Sequence, residues 1–159
     1  MTTQNLNKTL VTETLFADES SKTANSYREV IETVISSLEE NESAMVLHTE
    51  ESYLWKFQYG SVEVFVQLTG ESHNDLLTVW SPVLNLPAKD EPKLMRKLLE
   101  MNWSGTFEAC FGIFDDRVVV LFQRAVAELS PGEISRAITL VATIADENDE
   151  ALQGEFGLS

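Results

Sequence analysis

The pattern of hydrophobic and polar residues predicts three amphipathic helices. Apolar residues recur at spacings of three and four over residues 23–39, 91–102 and 131–147, so each segment would present one apolar side as a helix. Residues 130–133 read Ser-Pro-Gly-Glu, which is a strong signal for a helix start, with a capping serine, a proline and a capping-box glutamate. We therefore expect a helix at each of the three segments.

Between these segments the pattern alternates with a period of two, which is typical of strands with one buried side. The predicted strands cover residues 44–48, 53–59, 62–68, Leu76–Leu84 and the two arms of a hairpin between residues 107 and 122 that turns at Asp115-Asp116. Because Pro82 has no N–H, we expect the strand that contains it to lie at an edge of the sheet or to end there.

The order of these elements, α-β-β-β-β-α-β-β-α, predicts an α+β fold. Short turns between successive strands favour an antiparallel sheet, and the helices are expected to cover one face of it. We expect a flexible or loosely docked arm at residues 1–20, a single domain at residues 21–152 and a tail at residues 153–159.

The chain is strongly acidic. Its 159 residues include 26 Asp and Glu against 11 Lys and Arg, which gives a net charge of −15. Binding to nucleic acid or to an anionic membrane is disfavoured, because both rest on attraction between basic side chains and phosphates. Proteins and peptides, basic ones in particular, remain the expected partners, and solubility alone is the simpler explanation of the charge.

The cysteine content and the absence of long apolar segments predict a cytoplasmic protein. Cys110 is the one cysteine, so no intrachain disulfide can form, as is usual in a reducing compartment. We find no apolar run of the length of a signal peptide core or a membrane span. Cys110 lies in an apolar run, and we interpret it as a packing residue rather than a nucleophile.

Candidate catalytic and metal-binding residues are few. His48 and His73 are not at metal-ligand spacing, and neither a P-loop nor a Gly-x-Gly-x-x-Gly, His-Glu-x-x-His or Gly-x-Ser-x-Gly motif occurs. The acidic run at residues 146–150 lacks the glycine and glutamate that a calcium loop requires downstream. We therefore predict no catalytic residue, no cofactor and no metal.

Aromatic residues alternate along one predicted strand, at Tyr53, Trp55, Phe57 and Tyr59. Such a row could stack on a base or a sugar, but nucleic-acid stacking surfaces normally carry basic residues, and Lys56 is on the opposite side. Burial of this row under the helices is the favoured interpretation, because large aromatic side chains dominate cores.

Three stretches of apolar pattern carry a family resemblance within residues 27–152: Leu94–Asn102, then 107–122, then Leu129–Glu133 before the last helix. With the element order, they make the chain similar to the YbjN family of bacterial proteins, which in turn resembles type III secretion chaperones. The resemblance implies a compact α+β domain that binds other polypeptides, often as a dimer. It brings no catalytic residues with it.

We expect a non-enzymatic protein-binding module, chaperone-like or a regulatory adaptor, that acts as a homodimer. Two surfaces are candidates: the last helix at Ile134, Ile138 and Val141, which could receive a partner helix, and a free edge at Leu76–Leu84, which could accept a strand. For each of the three helix residues, packing into the protein's own core is the simpler interpretation. An enzyme or small-ligand-binding protein with a dispersed site, and a structural subunit of an assembly, remain alternatives.

Overall fold

The computed structural model describes residues 27–39, 45–49, 52–70 and 72–158, and the predicted arm at residues 1–20 lies outside them. Within these ranges, three helices and six strands follow one another in the predicted order. They are α1 (27–38), β1 (Met45–His48), β2 (Tyr53–Tyr59), β3 (Val62–Leu68), β4 (Leu76–Asn85), α2 (Glu91–Ser104), β5 (Cys110–Phe114), β6 (Arg117–Ala125) and α3 (Pro131–Phe156).

The six strands form one antiparallel sheet in the order β1-β2-β3-β4-β6-β5. Residues opposite one another across the sheet share a face, as the row Trp55, Val66, Val79 and Phe122 shows. This face packs into the core with the apolar sides of the helices, and the longest of them, α3, crosses β4, β3 and β6. The fold is therefore α+β with the helices on one face of an antiparallel sheet, as the pattern predicts.

Strand β4 lies in the middle of the sheet, so the expected edge position of Leu76–Leu84 was wrong. It pairs with β6 from Leu76 to Asn85 and with β3 from Leu77 to Trp80. A long strand that is paired on both sides offers no free edge to a partner along Leu77–Trp80.

A serine side chain allows Pro82 to stand in this central strand. The pairing of Phe65 with Trp80 is the last one between β3 and β4, and the same register continued by two residues would set Pro82 opposite Glu63. The Ser81 hydroxyl donates to the Glu63 carbonyl at 2.7 Å. It thereby supplies the hydrogen bond that the missing proline N–H cannot make, and a bulge follows between Pro82 and Leu84.

Helix α3 begins at the predicted capping box and ends nine residues later than predicted. The Ser130 hydroxyl accepts the Glu133 N–H at 3.2 Å, and the Glu133 carboxylate accepts the Ser130 N–H at 2.8 Å. The helix continues through the acidic run to Phe156, which is buried, so residues 153–156 belong to the helix and not to a tail. In the described residues, no helix is long and apolar enough to cross a membrane.

Candidate protein-binding site

The three residues proposed from the sequence as a partner surface lie in the core. The exposed fractions of Ile134, Ile138 and Val141 are 1%, 0% and 0%. The apolar side of α3 faces the sheet, and this packing leaves none of the three side chains accessible to a partner. The expectation of a binding surface at these positions is corrected accordingly: they stabilise the fold.

The aromatic residues that alternate along β2 also pack in or against the core. Trp55 and Phe57 are buried, and Tyr53 stacks on Trp55 with ring centroids 5.6 Å apart. This row therefore packs beneath the helices, as the favoured interpretation had it.

Exposed apolar side chains occur on α2, in the turn that follows it and on the edge strand β5. Trp103 is 93% exposed and Leu99 is 70% exposed, and their spacing of four places them on the same side of α2. Phe107, in the turn after α2, is 77% exposed, and Ile113 on β5 is also exposed. We call these four residues the α2 corner.

Hydrogen bonds to a single amide position α2 against β5. The Asn102 side chain accepts the Phe111 N–H at 2.6 Å and donates to the Phe111 carbonyl at 3.2 Å. An amide thus pairs with the outer edge of β5 in the way that another strand would. Trp103, the next residue of α2, is exposed, whereas Leu94 and Leu98 on the buried side of the helix pack into the core.

The turn after α2 is tied to α3. Glu108 accepts from the Arg136 guanidinium at 2.8 and 3.1 Å, and the guanidinium carbon lies 6.0 Å from the centre of the Phe107 ring. Phe107 has a positive φ of 51°, a strained conformation for a residue with a side chain, in a segment held at both ends. The anchoring keeps an aromatic side chain in solvent.

Charge is distributed unevenly among the helices. Helix α2 contains three basic and two acidic residues, whereas α3 contains one basic and six acidic residues. Leu99 and Trp103 of the α2 corner therefore lie on a helix with a small positive charge in a chain whose net charge is −15.

A second uncovered apolar surface lies between β6 and α3. A groove of about 280 Å³ is lined by the apolar side chains of Phe122, Ala137 and Leu140. Two ion pairs form its rim, Glu108 with Arg136 and Arg124 with Glu133. We call this surface the β6 groove.

Both rim carboxylates are stabilised in their charged form. The Ser130 N–H, followed by the Arg124 guanidinium, lowers the pKa of Glu133 to about 2, and the Arg136 guanidinium lowers the pKa of Glu108. The rim of the groove thus keeps its charges throughout the neutral pH range.

The face of the sheet opposite the helices carries a smaller aromatic cluster. Phe65 and Trp80 lie opposite each other on β3 and β4 and stack with centroids 5.2 Å apart, and Phe114 approaches Trp80 edge-on at 6.1 Å. Of the three, Phe114 alone is exposed, because the other two rings shield each other. The alternation of β3 already places Phe65 on this face, so the sequence contained a signal for the cluster.

The described residues contain no cluster of metal-ligating side chains. No set of three His, Cys, Asp or Glu side chains in those ranges could hold a metal ion. Asp146 and Asp149 instead bind the β2–β3 turn, accepting from the Ser61 N–H and hydroxyl at 2.8 Å each. Burial raises the pKa of the Cys110 thiol, which disfavours the reactive thiolate.

Residues 27–154 match the family model of YbjN, described as "Putative bacterial sensory transduction regulator". The chain belongs to the YbjN family. The match covers most of the chain and confirms the family membership that the resemblance implied. No curated protein matches the sequence.

Among solved structures, the YbjN chain is similar to one in the crystal structure of the ExsC–ExsE complex. The sequence identity is 17% and the TM-score is 0.48, and the similarity covers 79% of this chain and 94% of the other.

Proposed function

We propose that this YbjN protein is a non-enzymatic protein-binding module, chaperone-like or a regulatory adaptor, that holds a peptide or partner protein and acts as a homodimer. The observation that carries the proposal is the α2 corner. Leu99 and Trp103 are large apolar side chains on the same side of α2 and are both exposed, and exposed apolar patches mark interaction sites. A description of the family as regulators is consistent with binding rather than turnover.

A second copy of the chain is the occupant that we propose for the α2 corner. Two molecules of charge −15 repel each other, and the repulsion is smallest when the acidic helix α3 stays away from the contact. Leu99 and Trp103 bring α2, with its small positive charge, to the contact, although its Lys93 and Lys97 pair with Glu155 of α3. Exposed tryptophan is also the residue type that most often dominates binding energy at interfaces.

The dimer is tested by analytical ultracentrifugation over a concentration series. We expect Trp103→Ala to raise the dimer dissociation constant roughly 30-fold, the size typical of a central aromatic residue at an interface. Leu47→Ala is the matched control, because Leu47 is an exposed apolar residue on β1, at the other end of the sheet. Light scattering that finds only monomer at high micromolar concentration would remove the dimer from the proposal.

Cross-linking of the tagged full-length protein in cells tests whether it binds a partner. The proteins that are recovered with it are then identified. A cytoplasmic location and a preference for basic partners belong to the proposal, so we expect recovered proteins to be cytoplasmic and to carry basic segments. Repeated recovery of no protein, together with turnover of a small molecule by the purified chain, would favour the alternative of an enzyme with a dispersed site.

A further inference from the structure

Strand β6 is longer than the edge strand that covers it. The last pair between them joins Cys110 to Leu121, whereas β6 continues to Ala125. On its other side, β6 stays paired with β4 as far as the pair of Ala125 with Leu76. In the described residues, the end of β6 therefore has a strand on one side only.

The direction of the backbone groups follows from the alternation of an antiparallel pair. Phe111 directs its N–H and carbonyl outward to Asn102, so its neighbour Cys110 faces β6 and pairs with Leu121. Two and four residues beyond Leu121, the backbone groups of Gln123 and Ala125 point to the same side, where β5 has ended.

The chain that precedes β5 turns away from β6 and leaves the groove open. The Ala109 N–H bonds back to the Thr106 carbonyl at 2.9 Å, and Glu108 is drawn to Arg136 on α3. The β6 groove occupies the place where β5 would lie if it were longer. Its floor is apolar, formed by Phe122 and Leu140, and Gln123 also lines it. Ala125 follows two residues later, at the end of β6.

An extended chain matches this arrangement better than a helix does. Two residues of outward N–H and carbonyl groups can pair with an added strand, whose side chains then alternate between the groove floor and the opposite face. A helix satisfies its own backbone and would leave these groups to water. The end of β6 that β5 leaves unpaired is short, from Phe122 to Ala125, so we expect one side chain of an added strand to face the floor and its two neighbours to face away.

Charge indicates which extended chains bind. The net charge of −15 attracts basic segments and repels acidic ones before contact. At the rim, the carboxylates of Glu108 and Glu133 can accept more hydrogen bonds than their arginine partners donate. Lysine or arginine on either side of the apolar residue can share these carboxylates, whereas an acidic peptide would compete with them for the two arginines.

We propose that the β6 groove binds an extended basic peptide, which adds a strand to β6 at Gln123 and Ala125 and places one apolar side chain against Phe122 and Leu140. The inference rests on the proposed protein-binding function and specifies the class of partner and its mode of binding.

Selection from a displayed library of random eight-residue peptides tests which peptide side chains the β6 groove prefers. The selection uses the full-length protein. We expect enrichment of peptides with Lys or Arg flanking a single Leu, Ile or Val. Leu140→Lys should bind the selected peptides at least roughly tenfold more weakly, since a charge replaces part of the apolar floor. Thr139→Lys, an equal change at an exposed neighbouring position, should bind as the wild type does.

Two backbone measurements separate strand addition from other binding. Ala125→Pro removes one outward N–H without affecting the β4 ladder and should weaken binding about fivefold, while Ala125→Ser retains the N–H and should not. The amides of Gln123 and Ala125 should exchange hydrogen more slowly once the best selected peptide is bound. Circular dichroism confirms that each variant is folded.

Failure of this inference is distinct from failure of the proposed function. If no peptide is enriched, if the enriched peptides are acidic, or if those two amides are not protected, the groove inference is overturned. Partner recovery in cells that is equal for wild type and Leu140→Lys would overturn it too and leave the protein-binding function standing. Loss of recovery for wild type itself would count against the function.

Discussion

At the scale of single residues, two polar side chains stand in for backbone hydrogen-bonding groups. Asn102 pairs with both backbone groups of Phe111 at the sheet edge, and Ser81 serves the Glu63 carbonyl opposite Pro82. Buried backbone groups without partners cost free energy, so each side chain stabilises the fold beyond its own packing. The same Asn102 bonds keep β5 from pairing with another chain.

We expect Asn102→Ala to lower the free energy of unfolding by about 1–3 kcal/mol, because two backbone groups of a buried residue lose their partners. Denaturation in urea, followed by circular dichroism, measures the change. Asn148→Ala is the control, since Asn148 donates only to the Ile144 carbonyl within its own helix. If Asn102→Ala lowers the free energy of unfolding less than this control does, the stability of the sheet edge at β5 does not depend on the Asn102 side chain.

The role of Ser81 can be separated from its burial by a double-mutant cycle. Ser81→Ala should destabilise the protein by about 1–3 kcal/mol, because the Glu63 carbonyl loses its donor. In a Pro82→Ala background the loss should be smaller, since the new N–H at residue 82 can serve that carbonyl. Urea denaturation of the four proteins checks this, and equal losses in both backgrounds would contradict the substitution of serine for the proline N–H.

At the scale of elements, α3 shows how tertiary contacts extend a helix beyond its local signals. The apolar stripe predicts a helix end near residue 147, which would place the acidic run at residues 146–150 at a helix C-terminus, where the helix dipole disfavours acidic residues. In the structure, Asp149 is buried and bonded to Ser61, and the buried stripe continues through Leu152 to Phe156. The run is therefore in the middle of the helix, where that penalty does not apply.

The turn that receives Asp146 requires glycine. Gly60 has a positive φ of 51°, and a Cβ there would collide with the Asp146 carboxylate. The close approach of the β2–β3 turn to α3 thus depends on the missing side chain as well as on the left-handed backbone.

The capping box of α3 predicts a specific dependence on pH. The folded-state pKa of Glu133 is about 2, below the ordinary value of 4.5, so its stabilising effect is fully present above pH 4.5 and is lost as pH falls through 2. Glu133→Gln should therefore reduce the fall of stability between pH 4.5 and 2. Chemical denaturation across this range measures it, with Glu147→Gln, at an exposed position of the same helix, as the control. Parallel pH profiles for wild type and Glu133→Gln would refute the expectation.

At the scale of the whole molecule, the net charge of −15 acts on the two proposed contacts in opposite directions. It opposes the approach of a second copy and favours the approach of a basic peptide. Salt screens both effects, with a Debye length of about 10 Å at 0.1 M.

Raising the ionic strength from about 0.05 to 0.5 M should therefore tighten the dimer and weaken peptide binding. Ultracentrifugation gives the dissociation constant of the dimer, and fluorescence anisotropy of a selected basic peptide gives the dissociation constant of the peptide complex. A shift of both constants in the same direction would show that the charge does not act as argued. Sucrose at matched viscosity controls for effects of added solute.

The sequence by itself determined the type and order of the elements of this YbjN protein. Periods of 3.6 and 2, the capping box at residues 130–133 and the turn at Asp115-Asp116 are local properties, because they depend on residues close together along the chain. These signals are sufficient for an α+β fold with an antiparallel sheet, and the family resemblance rests on the same apolar pattern.

The tertiary structure alone decided which residues are accessible. The spacing of Ile134, Ile138 and Val141 is compatible with a buried or an exposed side of a helix. The packing of α3 on the sheet is what buries them. The central position of β4, the exposure of Trp103 and the groove left by a short β5 likewise depend on contacts between segments far apart in sequence. Periodicity shows which side of an element is apolar, but what covers that side is a property of the packed chain.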